Sequence, residues 1–169
     1  MKILYKYLLI ILAIILEATF SKFITIFGVK PDIVLILIIC FALLNGSTEG
    51  IILSLFGGLL QDILYNNAIG VETLALLIVC YIAGVLSTNV FRDNTFVAFV
   101  FVLLGTLLYN LIIIFSMILM KYDINLIKGF LDIVLIQAIY NSIITIFIFR
   151  YIVKLNNYIK DTKIFFFDI

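Results

Sequence analysis

The segment GIILSLFGGLLQDILYNNAIG, residues 50–70, combines an apolar composition with residues that hydrocarbon disfavours. Gln61 and Asp62 lie within it, and so do the adjacent glycines Gly57 and Gly58. An aspartate is costly at membrane depth, and paired glycines weaken a helix. Their presence in an apolar run therefore needs a structural or functional reason, which the rest of the sequence helps to identify.

The composition of the whole chain indicates a membrane protein. Of its 169 residues, 66% are hydrophobic and 12% are charged, whereas soluble domains contain about 45–50% and about 25%. Because so few charges cannot cover the surface of a soluble globule of this size, lipid is expected to surround most of the chain. The formal net charge of +1 gives no support for nucleic-acid binding.

Six apolar windows, separated by charged or turn-forming residues, are predicted to be helices. An open strand edge cannot satisfy its hydrogen bonds in lipid, and the sequence lacks the alternating polarity of barrel strands. The whole chain is therefore expected to form one domain, an all-α integral membrane bundle of about six transmembrane helices. The predicted helices cover about residues 3–23, 31–45, 50–65, 71–91, 95–120 and 129–151, and residues 152–169 form a predicted cytoplasmic tail.

The second and third windows are short. At 1.5 Å per residue each is about 20–24 Å long, below the roughly 30 Å thickness of the hydrocarbon core. The sequence leaves two possibilities open, namely two short crossings or a re-entrant hairpin. Both give an even number of crossings, so both termini are expected on one side of the membrane.

The distribution of lysine and arginine predicts which side that is. Seven basic residues fall on the side of the termini, and four fall on the opposite side. Because basic residues accumulate in cytoplasmic loops, this bias predicts cytoplasmic termini. The first group is Lys2, Lys6, Arg92, Arg150, Lys154, Lys160 and Lys163, and the second is Lys22, Lys30, Lys121 and Lys128.

Small and polar residues of the third window recur at helical spacing. A face of small residues lets a neighbouring backbone come close, which is how helices associate in lipid. Asp62 follows at the end of this helix, where it could cap the interfacial turn, contact a neighbour or partner, or take part in a proton or ion relay with Glu17 and Glu72. The residues of this face are Ser47, Gly50, Ser54, Gly57, Gly58 and Gln61.

Other windows also carry polar residues at membrane depth. Their amides are expected to form hydrogen bonds between helices, and the alternative is that they line a ligand pocket. They comprise Glu17 with Ala13 and Ser21, Cys80 with Gly84 and Ser87, Thr106 with Asn110, and Gln137 with Asn141 and Thr145.

The sequence contains few signs of catalysis or of cofactor binding. It has no histidine, no HExxH or GxSxG motif and no phosphate-binding loop, and its aspartates never form a DxxD pair. Cys40 and Cys80 lie in apolar runs, where cysteine usually behaves as a small hydrophobic residue. We therefore expect neither an enzyme nor a metal or cofactor site.

The order of features between residues 29 and 84 resembles the core of the MreD family of rod shape-determining membrane proteins. Glu17 also fits the polar position that this family has near the end of its first helix. The matching elements are Pro31 and Asp32 opening a helix, Gly46 and Gly50 around a turn, Gly57 and Gly58 followed by Asp62, Gly70 after a short polar loop, and Gly84.

This resemblance implies a non-enzymatic scaffold of the bacterial cell-elongation machinery in the cytoplasmic (inner) membrane. It also implies an MreC-like scaffold as partner and, through it, an MreB-like filament and a RodA-like glycosyltransferase with its transpeptidase. The family resembles in fold the substrate-binding components of energy-coupling-factor transporters. The alternative function is therefore the binding of a small vitamin near the outer face.

Overall fold

A computed structural model describes the backbone of residues 4–24, 28–65, 70–87, 94–122 and 124–164, and the side chains of 4–19, 28–65, 70–87, 94–122 and 133–158. This part of the chain contains six helices and no strand. The helices are α1 (Leu4–Ile24), α2 (Ile33–Asn45), α3 (Ser47–Tyr65), α4 (Val71–Leu86), α5 (Thr95–Leu119) and α6 (Ile124–Ile164).

Two helices are longer than the apolar windows suggest. Helix α3 begins at Ser47 and includes Glu49 in its first turn, so its 19 residues measure about 28 Å. Helix α6 has 41 residues and continues beyond residue 151, into the segment predicted as a tail. The sequence has no glycine or proline after Gly129, so nothing interrupts the helical hydrogen bonds there.

Helix α2 is the centre of the bundle. Every residue from Val34 to Leu44 is buried, and α2 contacts each of the other five helices. Its sequence is apolar around the whole circumference, so no side of the helix requires contact with water. Large apolar side chains on the outer helices remain exposed, among them Phe115, Leu135 and Phe147, which suits a surface in contact with lipid.

One end of the bundle, here named the Lys6 end, joins the start of α1 to the turn between α2 and α3. Lys6 is buried and forms an ion pair with Glu49. Asn45 donates a hydrogen bond to Asn156 of α6 over 3.0 Å. The Ser87 hydroxyl, at the end of α4, donates to the Leu43 carbonyl.

The opposite end, here named the Asp32 end, joins the second half of α1 to the start of α2 and the end of α3. Glu17 accepts hydrogen bonds from the first turn of α2, and the Tyr65 hydroxyl donates to the Ile14 carbonyl over 3.2 Å. Successive helices therefore alternate in direction between the Lys6 end and the Asp32 end.

Two stretches of the described residues are long and apolar enough to cross a membrane. They are Thr95–Leu119, which is all of α5, and Ile133–Tyr158 within α6. Helices α2 and α4 are apolar but shorter. The regular structure of the described residues is thus entirely helical, and it includes these two membrane-capable segments.

Candidate functional site

The glycines of α3 lie where neighbouring helices come closest. A Cβ atom added to Gly58 would stand 2.6 Å from the Thr73 Cα of α4. One added to Gly50 would stand 2.8 Å from the Ala42 Cβ and 3.2 Å from the Cys80 carbonyl oxygen. These positions therefore leave no room for a side chain unless the helices move apart.

Gly57 has different neighbours from Gly58. A Cβ added there would meet side-chain atoms of α1 and α2, the nearest being Ile38 Cδ1 at 2.8 Å. Ser54 is buried beside these glycines and donates its hydroxyl to the Ile51 carbonyl of its own helix over 2.9 Å. The small residues of α3 thus contact three helices of the same chain.

Gly46 and Gly70, two glycines that the family resemblance singled out, lie at turns, and so does Gly28, which was not predicted. The third of those glycines, Gly84, lies in a helix contact. Gly28, Gly46 and Gly70 have positive φ angles of 80°, 93° and 104°, a conformation that other residues adopt only with strain. At Gly84 of α4, an added Cβ would stand 2.4 Å from the Ser47 Cα and 2.8 Å from the Gly46 carbonyl carbon. The turn between α2 and α3 therefore rests directly on α4.

Asp62 is fully buried and caps the first turn of α4 from outside that helix. Its carboxylate accepts hydrogen bonds from the backbone N–H groups of Gly70 (2.9 Å), Glu72 (3.1 Å) and Thr73 (3.1 Å). It also accepts one from the Thr73 hydroxyl. Gly70 occupies the N-cap position and has no side chain to satisfy these donors, so Asp62 does so instead.

Carboxylates also cap the N-terminus of α2. Asp32 is the N-cap residue and accepts a hydrogen bond from the Leu35 N–H over 2.8 Å. Glu17 of α1 accepts from the N–H groups of Ile33 and Val34. Two carboxylates thus meet the positive end of the α2 dipole, and one of them comes from another helix.

Helices α5 and α6 are joined by a ladder of amide hydrogen bonds. The Asn110 amide donates to the side-chain Oε1 of Gln137 over 3.0 Å, and the Asn141 amide donates to the Thr106 hydroxyl over 3.2 Å. The Asn141 side chain in turn accepts from the Asp32 N–H over 3.0 Å. The polar face of α6 therefore holds both α5 and the start of α2.

A cavity of about 490 Å³ opens at the Asp32 end between these polar groups. Gln61 belongs to its lining, is 4% exposed, and has an Oε1 atom without a hydrogen-bond partner. No group of three potential metal-ligating side chains occurs among the described residues. Six polar residues of the lining are Glu17, Asp32, Gln61, Tyr65, Asn110 and Gln137.

Sequence reasoning did not single out Thr73 or the pairing of Lys6 with Glu49. Lys6 does give a signal, because a charge inside an apolar helix usually needs a partner. The partner cannot be identified from the sequence alone, since Glu49 belongs to a distant window. The hydroxyl of Thr73 gives no comparable signal in an apolar helix.

Comparison with known families identifies the chain. The family described as rod shape-determining protein MreD matches residues 1–159. No curated protein and no solved structure gives a significant match. The family match confirms the resemblance seen between residues 29 and 84 and extends over nearly the whole chain. The chain belongs to the MreD family of rod shape-determining proteins.

Proposed function

We propose that this protein is a non-enzymatic scaffold of the machinery that directs lateral peptidoglycan synthesis. Membership of the MreD family links the chain to rod shape determination. The observation that carries the proposal is this family match. The use of Asp62 supports a structural role for that residue, because its carboxylate accepts four hydrogen bonds from Gly70 and the first turn of α4 and so fixes the relative position of α3 and α4.

The proposed partners are those that the family implies. They are an MreC-like scaffold and, through it, an MreB-like filament and a RodA-like glycosyltransferase with its transpeptidase. The small residues of α3 are buried against α1, α2 and α4. The partner surface is therefore expected on the outward faces, where large apolar side chains such as Phe115 and Phe147 are exposed.

We further propose six crossings of the inner membrane, with both termini in the cytoplasm and a bundle like that of energy-coupling-factor substrate-binding components. The contacts at the Lys6 end support this count. Lys6 pairs with Glu49, and Asn45 bonds to Asn156, so the turn between α2 and α3 lies beside the first turns of α1. With the turn at that end, α2 runs from the Asp32 end to the Lys6 end and α3 returns, which supports two short crossings over a re-entrant hairpin.

Cysteine labelling tests this topology. A membrane-impermeant maleimide applied to intact spheroplasts should label Tyr122→Cys, because Tyr122 lies at the Asp32 end. It should label Thr48→Cys only after permeabilisation. The parent chain is the control, since Cys40 and Cys80 are fully buried. Labelling of Thr48→Cys from outside would support the re-entrant hairpin instead.

Depletion of the protein in a rod-shaped host tests the function. Cells should become rounded and wider, because a scaffold acts on wall insertion, while vitamin uptake should stay unchanged. Cell width and the uptake of labelled vitamins are measured in the same culture, and re-expression of the wild-type chain is the control. Normal width together with lost uptake would favour the alternative, a vitamin-binding component of a transporter.

A further inference from the structure

The cavity at the Asp32 end has the size and position of a small-molecule site. Its volume of about 490 Å³ lies within the range of about 300–1,000 Å³ that such sites occupy. Residues of α1, α3, α4, α5 and α6 contribute to its wall, together with the segment before α2. Under the proposed topology it opens at the outer face of the membrane.

The polar lining of this cavity is rich in hydrogen-bond acceptors. Gln61 donates its amide toward the Asp32 carboxylate over 3.5 Å, which leaves the Oε1 atom as the unpaired end of the side chain. The reverse orientation would place this oxygen against a carboxylate. A buried acceptor without a partner is rare in folded proteins and calls for an explanation.

Two amide donors of the lining, those of Asn110 and Gln137, are already committed. The Asn110 amide bonds to the Thr106 carbonyl and the Gln137 side chain, and the Gln137 amide donates to the Lys30 carbonyl over 3.4 Å. A ligand that donates a hydrogen bond to Gln61 Oε1 would give this unpaired acceptor a partner.

The charges and aromatic rings of the lining favour a cation. Glu17, Asp32 and Glu72 contribute carboxylates, whereas Lys30 contributes one ammonium. A carboxylate has about four acceptor sites, so the hydrogen bonds from α2 leave Glu17 and Asp32 with further capacity. The Lys30 ammonium already lies 5.3 Å from the centre of the Tyr65 ring, which shows that the aromatic wall accommodates a positive charge.

We propose that this cavity binds a small organic cation, a primary ammonium group attached to an apolar or aromatic body. The ammonium donates hydrogen bonds to Gln61 Oε1 and to the Asp32 carboxylate, and the body lies against Ile113 and Met117 of α5. The ammonium belongs either to a soluble amine or to the headgroup of an aminophospholipid. Binding of this cation does not depend on the scaffold role.

The test uses the full chain purified in a neutral maltoside detergent, with benzylammonium as the probe and benzyl alcohol as its uncharged isostere. Thermal unfolding is followed by circular dichroism while each probe is titrated. A saturable rise in the melting temperature is expected with benzylammonium and not with benzyl alcohol. Equal responses to the two probes would overturn the proposal.

Two variants locate the site. Gln61→Leu should bind benzylammonium at least tenfold more weakly while keeping or increasing the melting temperature of the ligand-free protein, because it removes the unpaired acceptor. Met120→Lys places a covalently attached ammonium group at the cavity wall. Because this group competes with the ligand for the same acceptors, benzylammonium should again bind at least tenfold more weakly. Ile52→Ala is the matched control, because Ile52 lies in a separate apolar groove between α1 and α3. Unchanged affinity in both cavity variants would overturn the proposal.

Nanodiscs distinguish the two sources of the ammonium. If the headgroup is the ligand, benzylammonium should bind at least fivefold more weakly in phosphatidylethanolamine than in phosphatidylcholine, which is also zwitterionic but has no N–H donor, and Gln61→Leu should abolish that difference. If a soluble amine is the ligand, the affinity should be the same in both lipids. A lipid difference that persists in Gln61→Leu would place the headgroup elsewhere and overturn the lipid assignment.

Discussion

Asp62→Ala is expected to destabilise the bundle by at least about 3 kcal/mol, because an unsatisfied buried donor costs about 1–3 kcal/mol and several donors lose their acceptor together. The backbone N–H groups of Gly70, Glu72 and Thr73 and the Thr73 hydroxyl all bond to this carboxylate. The free energy of unfolding is measured by denaturant titration in mixed micelles. Thr73→Val is the partial control, since it removes one donor of the four and leaves the others bonded.

The substitution Asp62→Asn distinguishes a structural role of the Asp62 carboxylate from a role in a proton relay. From the sequence alone this change is expected to be mild if Asp62 only holds helices together. The structure makes a moderate cost of about 1–2 kcal/mol the better expectation, because the asparagine NH₂ group cannot accept the hydrogen bond of the Glu72 N–H. Loss of cell shape should follow loss of stability. A variant with normal stability and abundance but no function would favour the relay.

The division into helices follows from simple patterns, because charged and turn-forming residues bound the apolar windows. The central position of α2 does not follow from them, because an apolar circumference is typical both of an enclosed helix and of a helix in lipid. The length of α6 is harder to predict, because its last turns are polar and only the lack of glycine and proline after Gly129 favours continuation.

The residues that the polar and small side chains contact cannot be predicted from such patterns. Helical spacing groups Gly57 with Gly58, yet successive residues point about 100° apart on a helix, and in the structure they contact different helices. Likewise, Asp62 caps α4 only because the chain returns to it at Gly70. The sequence indicates that these residues need a contact, whereas the contact itself depends on the three-dimensional arrangement.

The contrast between Gly57 and Gly58 gives a matched test of close packing. Gly58→Ala should cost about 1–3 kcal/mol, because its Cβ would stand 2.6 Å from backbone of α4 and overpacking against backbone cannot be relieved by a rotamer change. Gly57→Ala should cost much less, because the nearest atom is the flexible end of Ile38 and alanine gains about 1 kcal/mol in helix propensity. Both free energies of unfolding are measured in the same micelles.

The position of Thr73 makes the effects of Gly58→Ala and Asp62→Ala dependent on each other. Gly58 packs on the Thr73 backbone, and Asp62 bonds to the N–H and hydroxyl of the same residue. If an added Cβ at residue 58 displaces α4, it also lengthens those bonds, so the double variant should lose less stability than the sum of the single variants. Additive losses, or equal losses in Gly57→Ala and Gly58→Ala, would contradict close contact of α3 with α4 at Thr73.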